Sequence, residues 1–176
     1  MGQVIRLPVP AAEYPDRSAA LDPAECVLLI AMRWWVAEHR HGVDPLPRLC
    51  EAMRTAGAHD AAFSVDRLMS VVAVSTVRPI EVCCPRCPRV SNDEKCLLHA
   101  ASLAQFGDGA LAEKALRAAP LSAQGAEFAL CPLRGLAELF AEARLLFRRR
   151  AAPQSDPVVP GVIETWVPAA PLGTVH

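Results

Sequence analysis

Two short pairs, Cys84-Pro85-Arg86-Cys87 and Cys96-Leu97-Leu98-His99, lie eight residues apart and constrain this chain more than any other feature. If their four ligating side chains meet at one ion, the loop that carries the first pair must fold back onto the segment that carries the second. Three thiolates and one imidazole are the number and kind of ligands that a tetrahedral structural zinc takes. Pro85 restricts the first pair to a tight knuckle turn. Ser91-Asn92-Asp93-Glu94 reads as a capping box opening a helix, so Cys96 and His99 fall three apart on one helical face. The expected metal ligands are therefore Cys84, Cys87, Cys96 and His99. Cys83 adjoins Cys84 and cannot share its turn geometry, so it reads as a substitute ligand or a free thiol. Cys83, Cys84, Cys87 and Cys96 together also make the donor set of the alternative, an iron–sulfur cluster. The competing explanation is that Cys96 and His99 are packing residues on an amphipathic helix.

Four protein ligands leave no open coordination position, which makes the expected zinc structural rather than catalytic. No phosphate-binding glycine loop, nucleophile elbow or pair of catalytic carboxylates is present. The sequence thus predicts a protein that is not an enzyme.

Composition points to helices. Over 176 residues the hydrophobic fraction is 52%, much of it alanine and leucine, while aromatics make up only 5%; that balance suits helix packing better than sheet. The fold class expected is all-α: a bundle of about six to seven helices with a short extended segment, a zinc knuckle and a flexible Pro-rich C-terminal tail. Five segments are expected: an extended stretch over 1–20, an N-terminal helical lobe over 21–76, the knuckle and helix start over 77–99, helical hairpins over 91–150, and the tail over 151–176. Within them, Asp22-Pro23-Ala24-Glu25 gives a capped start to a first helix running to about His41. That helix is apolar on nearly every face and must be surrounded or supply a dimer face. Cys131-Pro132 is expected to interrupt the last helical stretch, leaving a separate element from Leu133 to Phe147. Residues 96–119, through Leu98, Ala101, Leu103, Gly107, Ala112, Leu116 and Ala119, resemble a single tetratricopeptide-repeat hairpin. The leading aromatic and early glycine of that motif are missing, and no second copy follows at its period.

The net charge of −1 lacks the basic excess of a dedicated nucleic-acid binder. Seven cysteines, an odd number, with no secretory signal fit thiols and metal ligands in a cytoplasmic setting; the Ala-, Leu- and Arg-rich usage is of a bacterial kind. Cys26, Cys50 and Cys131 fall at apolar helical positions and read as core. Trp34 and Trp35 point to different sectors of their helix, one toward the core and one toward an interface. Arg148, Arg149 and Arg150 read as a basic helix end, suited to the helix dipole or to an acidic or phosphate partner. Trp166, in Val162 to Val167, is the tail's candidate docking residue. The function expected is a zinc-binding regulatory or adaptor protein that acts through a protein partner, with a homodimer through the first helix as one form and no membrane partner. The alternatives are a DNA-binding transcriptional regulator, using helices near 45–56 and 60–74, and a thiol-based redox or metal sensor at Cys83 and Cys84.

Overall fold

The computed structural model describes residues 11–154. The expectations for the tail, Trp166 included, and for the first ten residues lie outside them. Six α-helices follow a 3-10 turn at Ser18–Ala20: α1 Pro23–Arg40, α2 Leu46–Thr55, α3 Ala61–Ser75, α4 Asn92–Gln105, α5 Gly109–Ala118 and α6 Ala123–Glu142. Among the described residues there are no strands beyond three isolated bridges, so the architecture is an all-helical bundle.

Local chemistry sets the helix ends. At α4 the Ser91 hydroxyl accepts from the Glu94 N–H at 3.1 Å, and the Glu94 carboxylate accepts from the Ser91 N–H at 2.8 Å. At α1 the Glu25 carboxylate accepts from the Asp22 N–H at 2.9 Å. The C-termini of α1, α2 and α4 close on Gly42, Gly57 and Gly107, all in the left-handed region. Each closure has the paired bonds of a Schellman motif, such as Gly42 N–H to His39 and Val43 N–H to Glu38.

α6 departs from expectation at two places. Pro132 does not interrupt it; the helix runs unbroken from Ala123 to Glu142. The missing N–H frees the carbonyl of residue 128, and Phe128 and Cys131 both face solvent, where water can satisfy it. The inner face, with Ala129, Leu133 and Leu136 buried, holds the helix together. The helix then stops at Glu142, well short of Phe147. Arg144 takes φ 61° there, with its N–H on the Ala141 carbonyl and the Leu145 N–H on the Phe140 carbonyl. A fourth Schellman closure thus forms on an arginine.

α3 and α6 pack antiparallel, with Ser64 against Gly135 and Ser75 against Gly125. A Cβ at Gly125 would overlap the Ser75 side chain, so the small residue permits the close approach. The same end is tied by the Val77 N–H to the Pro120 carbonyl and the Ser122 N–H to the Ser75 carbonyl.

One hydrophobic core runs from Tyr14 to Phe147 and draws on every α-helix. Its largest fully buried side chains include Leu28, Leu29 and Met32 of α1, Leu68 of α3, Leu97 and Leu98 of α4, and Leu133 and Phe140 of α6. α1 packs against α2, α3 and α4, leaving Ile30 as its exposed large apolar residue. An extended strap, residues 12–18, lies between the chain's later parts: Ala151 N–H donates to Ala12, Val90 N–H to Asp16, and Ser18 N–H to Pro88. No helix among the described residues is long and apolar enough to cross a membrane.

Candidate metal centre

The N-terminus of α4 is where the cysteine loop meets the helical body. Its capping-box carboxylate, Glu94, is fully buried, and Arg33 from the middle of α1 is 2% exposed. The two form a bidentate pair, Nε to Oε1 at 2.7 Å and Nη2 to Oε2 at 2.9 Å. The guanidinium also donates to the Cys87 carbonyl at 2.6 Å and the Arg89 carbonyl at 2.5 Å. The carboxylate in turn accepts the Cys83 N–H at 3.1 Å besides the Ser91 N–H. Every nitrogen of the guanidinium and both oxygens of the carboxylate are therefore engaged, the condition under which a buried ion pair holds structure together.

A second clamp flanks it. Arg78 donates to both oxygens of Asp93, at 2.7 and 3.0 Å, and the Glu81 N–H donates to the same carboxylate at 2.8 Å. Ser91 Oγ donates to the Glu81 carbonyl, and Arg89 pairs with Glu81. Loop 78–91 is fastened on both sides by charge.

The sequence-predicted ligands sit around this staple in two groups. The expected tight turn is there, with the Cys87 N–H on the Cys84 carbonyl at 3.0 Å. Cys84 is exposed; Cys83 and Cys87 are half-buried. Burial, reinforced by the Glu94 carboxylate, pushes the Cys83 thiol up to about 11. Cys96 and His99 belong to a different neighbourhood. Cys96 is buried, and that burial, with the Asp93 carboxylate adding to it, pushes its thiol up to about 11 as well. The His99 ring meets Tyr14 edge-on at 5.9 Å between centroids, and burial lowers its pKa. Among the described residues no three His, Cys, Asp or Glu side chains converge in a way that could hold a metal ion. As placed, then, Cys84, Cys87, Cys96 and His99 do not fit one zinc, and Cys83, Cys84, Cys87 and Cys96 do not fit an iron–sulfur cluster. Helical spacing set His99 on the face that meets Tyr14 of the N-terminal strap.

Behind α4 lies a second buried polar cluster. Arg150 pairs with Glu25 through Nε at 2.6 Å and Nη2 at 2.8 Å, and with Asp22 at 3.1 Å. Its guanidinium also lies over the Tyr14 ring at 5.4 Å. Both capping-box glutamates, Glu25 and Glu94, thus receive an arginine distant in sequence. The hydroxyl of Tyr14 and Nδ1 of His99 are the buried side-chain polar atoms left without a protein partner among the described residues.

The remaining predicted residues are dispersed. Trp35 is core, its indole N–H donating to Asp66 at 2.8 Å, while Trp34 is half-buried beneath the Arg48 guanidinium at 4.0 Å. Because α6 stops early, Arg148, Arg149 and Arg150 lie on an extended segment, not on a helix end. Arg148 is exposed and its carbonyl accepts from Ser102; Arg149 lies over Phe106 at 4.4 Å; Arg150 faces inward. Cys26 and Cys50 pack on the core, but Cys131, expected there too, is exposed. Sequence reasoning missed Arg33, Glu25 and Glu94 as partners. The available signal was a lone arginine inside the apolar run of α1, which at a buried position demands a carboxylate.

Several concavities mark the described surface. A small one of about 80 Å³ lies between α1, α3 and residues 76–82, with Trp35, Met69, Val72 and Ile80 in its walls. A broad groove of about 740 Å³ runs along α3 and α6, lined by Phe63, Arg67, Val71, Val74, Phe128 and Cys131 among others. The chain matches no family model, no curated protein and no solved structure.

Proposed function

We propose that this chain is a non-enzymatic binding protein, a helical scaffold in a regulatory or adaptor role that recognises another protein along the α3/α6 groove. The carrying observation is that three of the nine exposed large apolar side chains of the described residues share one groove. Phe63 is 54% exposed, Val74 86% and Phe128 60%, and all three line that one groove. A contiguous patch of this kind is costly to leave in water and marks interaction surfaces. The buried charges, by contrast, face one another inside the fold: Arg33 with Glu94, Arg150 with Glu25. Arg67 is the one charged residue in the groove lining. The matching occupant is a protein segment with bulky apolar side chains and a carboxylate to meet it.

The test is affinity capture with the full-length chain, wild type against Phe128→Asp, followed by titration of each purified binder. The expected result is a partner whose affinity falls about tenfold or more in the variant, the loss typical of one anchor residue. Binders that hold both proteins equally, or none that can be reconstituted, would remove the reading.

A second reading rests on a separate observation, half-buried Cys83 and Cys87 flanking exposed Cys84 on one short stretch that closes in a tight turn. It makes the loop a thiol-based sensor. Mild peroxide should then remove two hydrogens from the Cys83–Cys87 peptide; unaltered mass at that peptide would dismiss it. Neither reading calls on zinc.

A further inference from the structure

We propose that the α3/α6 groove is covered by this chain's own segment Val162-Ile163-Glu164-Thr165-Trp166-Val167, which competes with an external partner for that surface. This inference rests on the reading of the groove as the docking face and names what regulates it. Three observations carry it.

The first is chemical. The groove offers Phe63, Val71, Val74 and Phe128 with Arg67 as its only charge. Residues 155–176 hold two acidic residues, Asp156 and Glu164, and no lysine or arginine. Within them, 162–167 combines four large apolar side chains with one of those two carboxylates. The chemistry that the groove asks of a partner is thus present in the chain itself.

The second is reach. Gln154 shares a concavity with Asn92 and Lys95. The neighbouring Asp93 is bound by Arg78, and only four residues separate Arg78 from Val74 at the groove's end. Four residues span at most about 14 Å, whereas the eight from Gln154 to Val162 span up to about 28 Å. After the Arg78-to-Val74 leg, about 14 Å of extended chain is left for the Asp93–Arg78 bridge and the concavity beside Gln154.

The third is tethering. A segment on a short linker acts at an effective concentration of about 1 mM. A contact with a dissociation constant near 0.1 mM, weak for an untethered peptide, is then about nine-tenths closed.

Cys131 provides the readout, because it is exposed and lines the groove, while Cys84 is exposed and outside the groove lining. The full-length protein is alkylated with iodoacetamide and the rate at each cysteine is followed by peptide mass spectrometry. Wild type is compared with the double variant Ile163→Asp/Trp166→Asp, whose substitutions lie outside the described core; an unchanged melting temperature verifies that the fold is kept. The expected result is Cys131 reacting about tenfold faster in the variant, with Cys84 unchanged and the wild-type protection independent of protein concentration. Equal Cys131 rates in the two proteins would overturn the inference. So would protection that disappears on dilution, which would place a second copy on the groove. The two proposals separate cleanly: protection of Cys131 without any reconstitutable partner defeats the binding function alone, and a partner that binds while Cys131 is unprotected defeats this inference alone.

Discussion

Glu94 serves at once as a helix cap, the counter-ion of Arg33 and the acceptor for the Cys83 N–H. Removing its partner strands a buried carboxylate, so Arg33→Met should destabilise the protein by about 3–5 kcal/mol, measured by denaturant unfolding. A loss below 1 kcal/mol would mean that the pair is incidental. His99 makes a second residue-scale test. Burial holds its folded pKa below the usual 6.5, so between those values the unfolded chain binds more protons than the folded one. Stability is therefore whole above about pH 6.5 and declines as pH falls through the depressed value. The melting temperature of wild type should drop over that window more steeply than that of His99→Phe; parallel curves would contradict the burial. At this scale the sequence was only half legible. The tight turn at Cys84–Cys87 could be read directly from its spacing. Which way Cys96 and His99 face could not, because a spacing of three on a helix puts two residues on one side without saying what that side meets.

Helix starts and stops were the most legible elements. Ser91 to Glu94 and Asp22 to Glu25 carry their capping chemistry in adjacent residues, and Gly42, Gly57 and Gly107 mark stops that side-chain-bearing residues resist. α6 was misread for the same reason. Its stop falls on Arg144, which carries no such mark, and its proline is tolerated because the freed carbonyl faces water. An L-residue held in the left-handed region is strained by about 1–2 kcal/mol. Arg144→Gly should therefore raise stability, by about 0.5–1 kcal/mol after the glycine's greater unfolded-state freedom is subtracted. An unchanged or lower midpoint in urea would show that the arginine side chain contributes more than its backbone costs.

For the whole molecule, composition announced an all-helical bundle, and the bundle is what forms. How its parts are joined was not visible, since the joining groups are far apart in sequence: Arg33 with Glu94, Arg150 with Glu25, the strap at residues 12–18 with residues 88–90 and 151. Charged clamps at two helix N-termini, laid over a continuous core, join these parts. The most direct measurement is the thermal unfolding of freshly purified full-length protein with and without excess chelator, alongside its zinc content. The expected result is one cooperative transition at the same temperature in both, whatever trace of metal is found. A stoichiometric zinc whose removal lowers the midpoint and broadens the transition would show that the cysteine loop is held by an ion and not by Arg33 and Glu94.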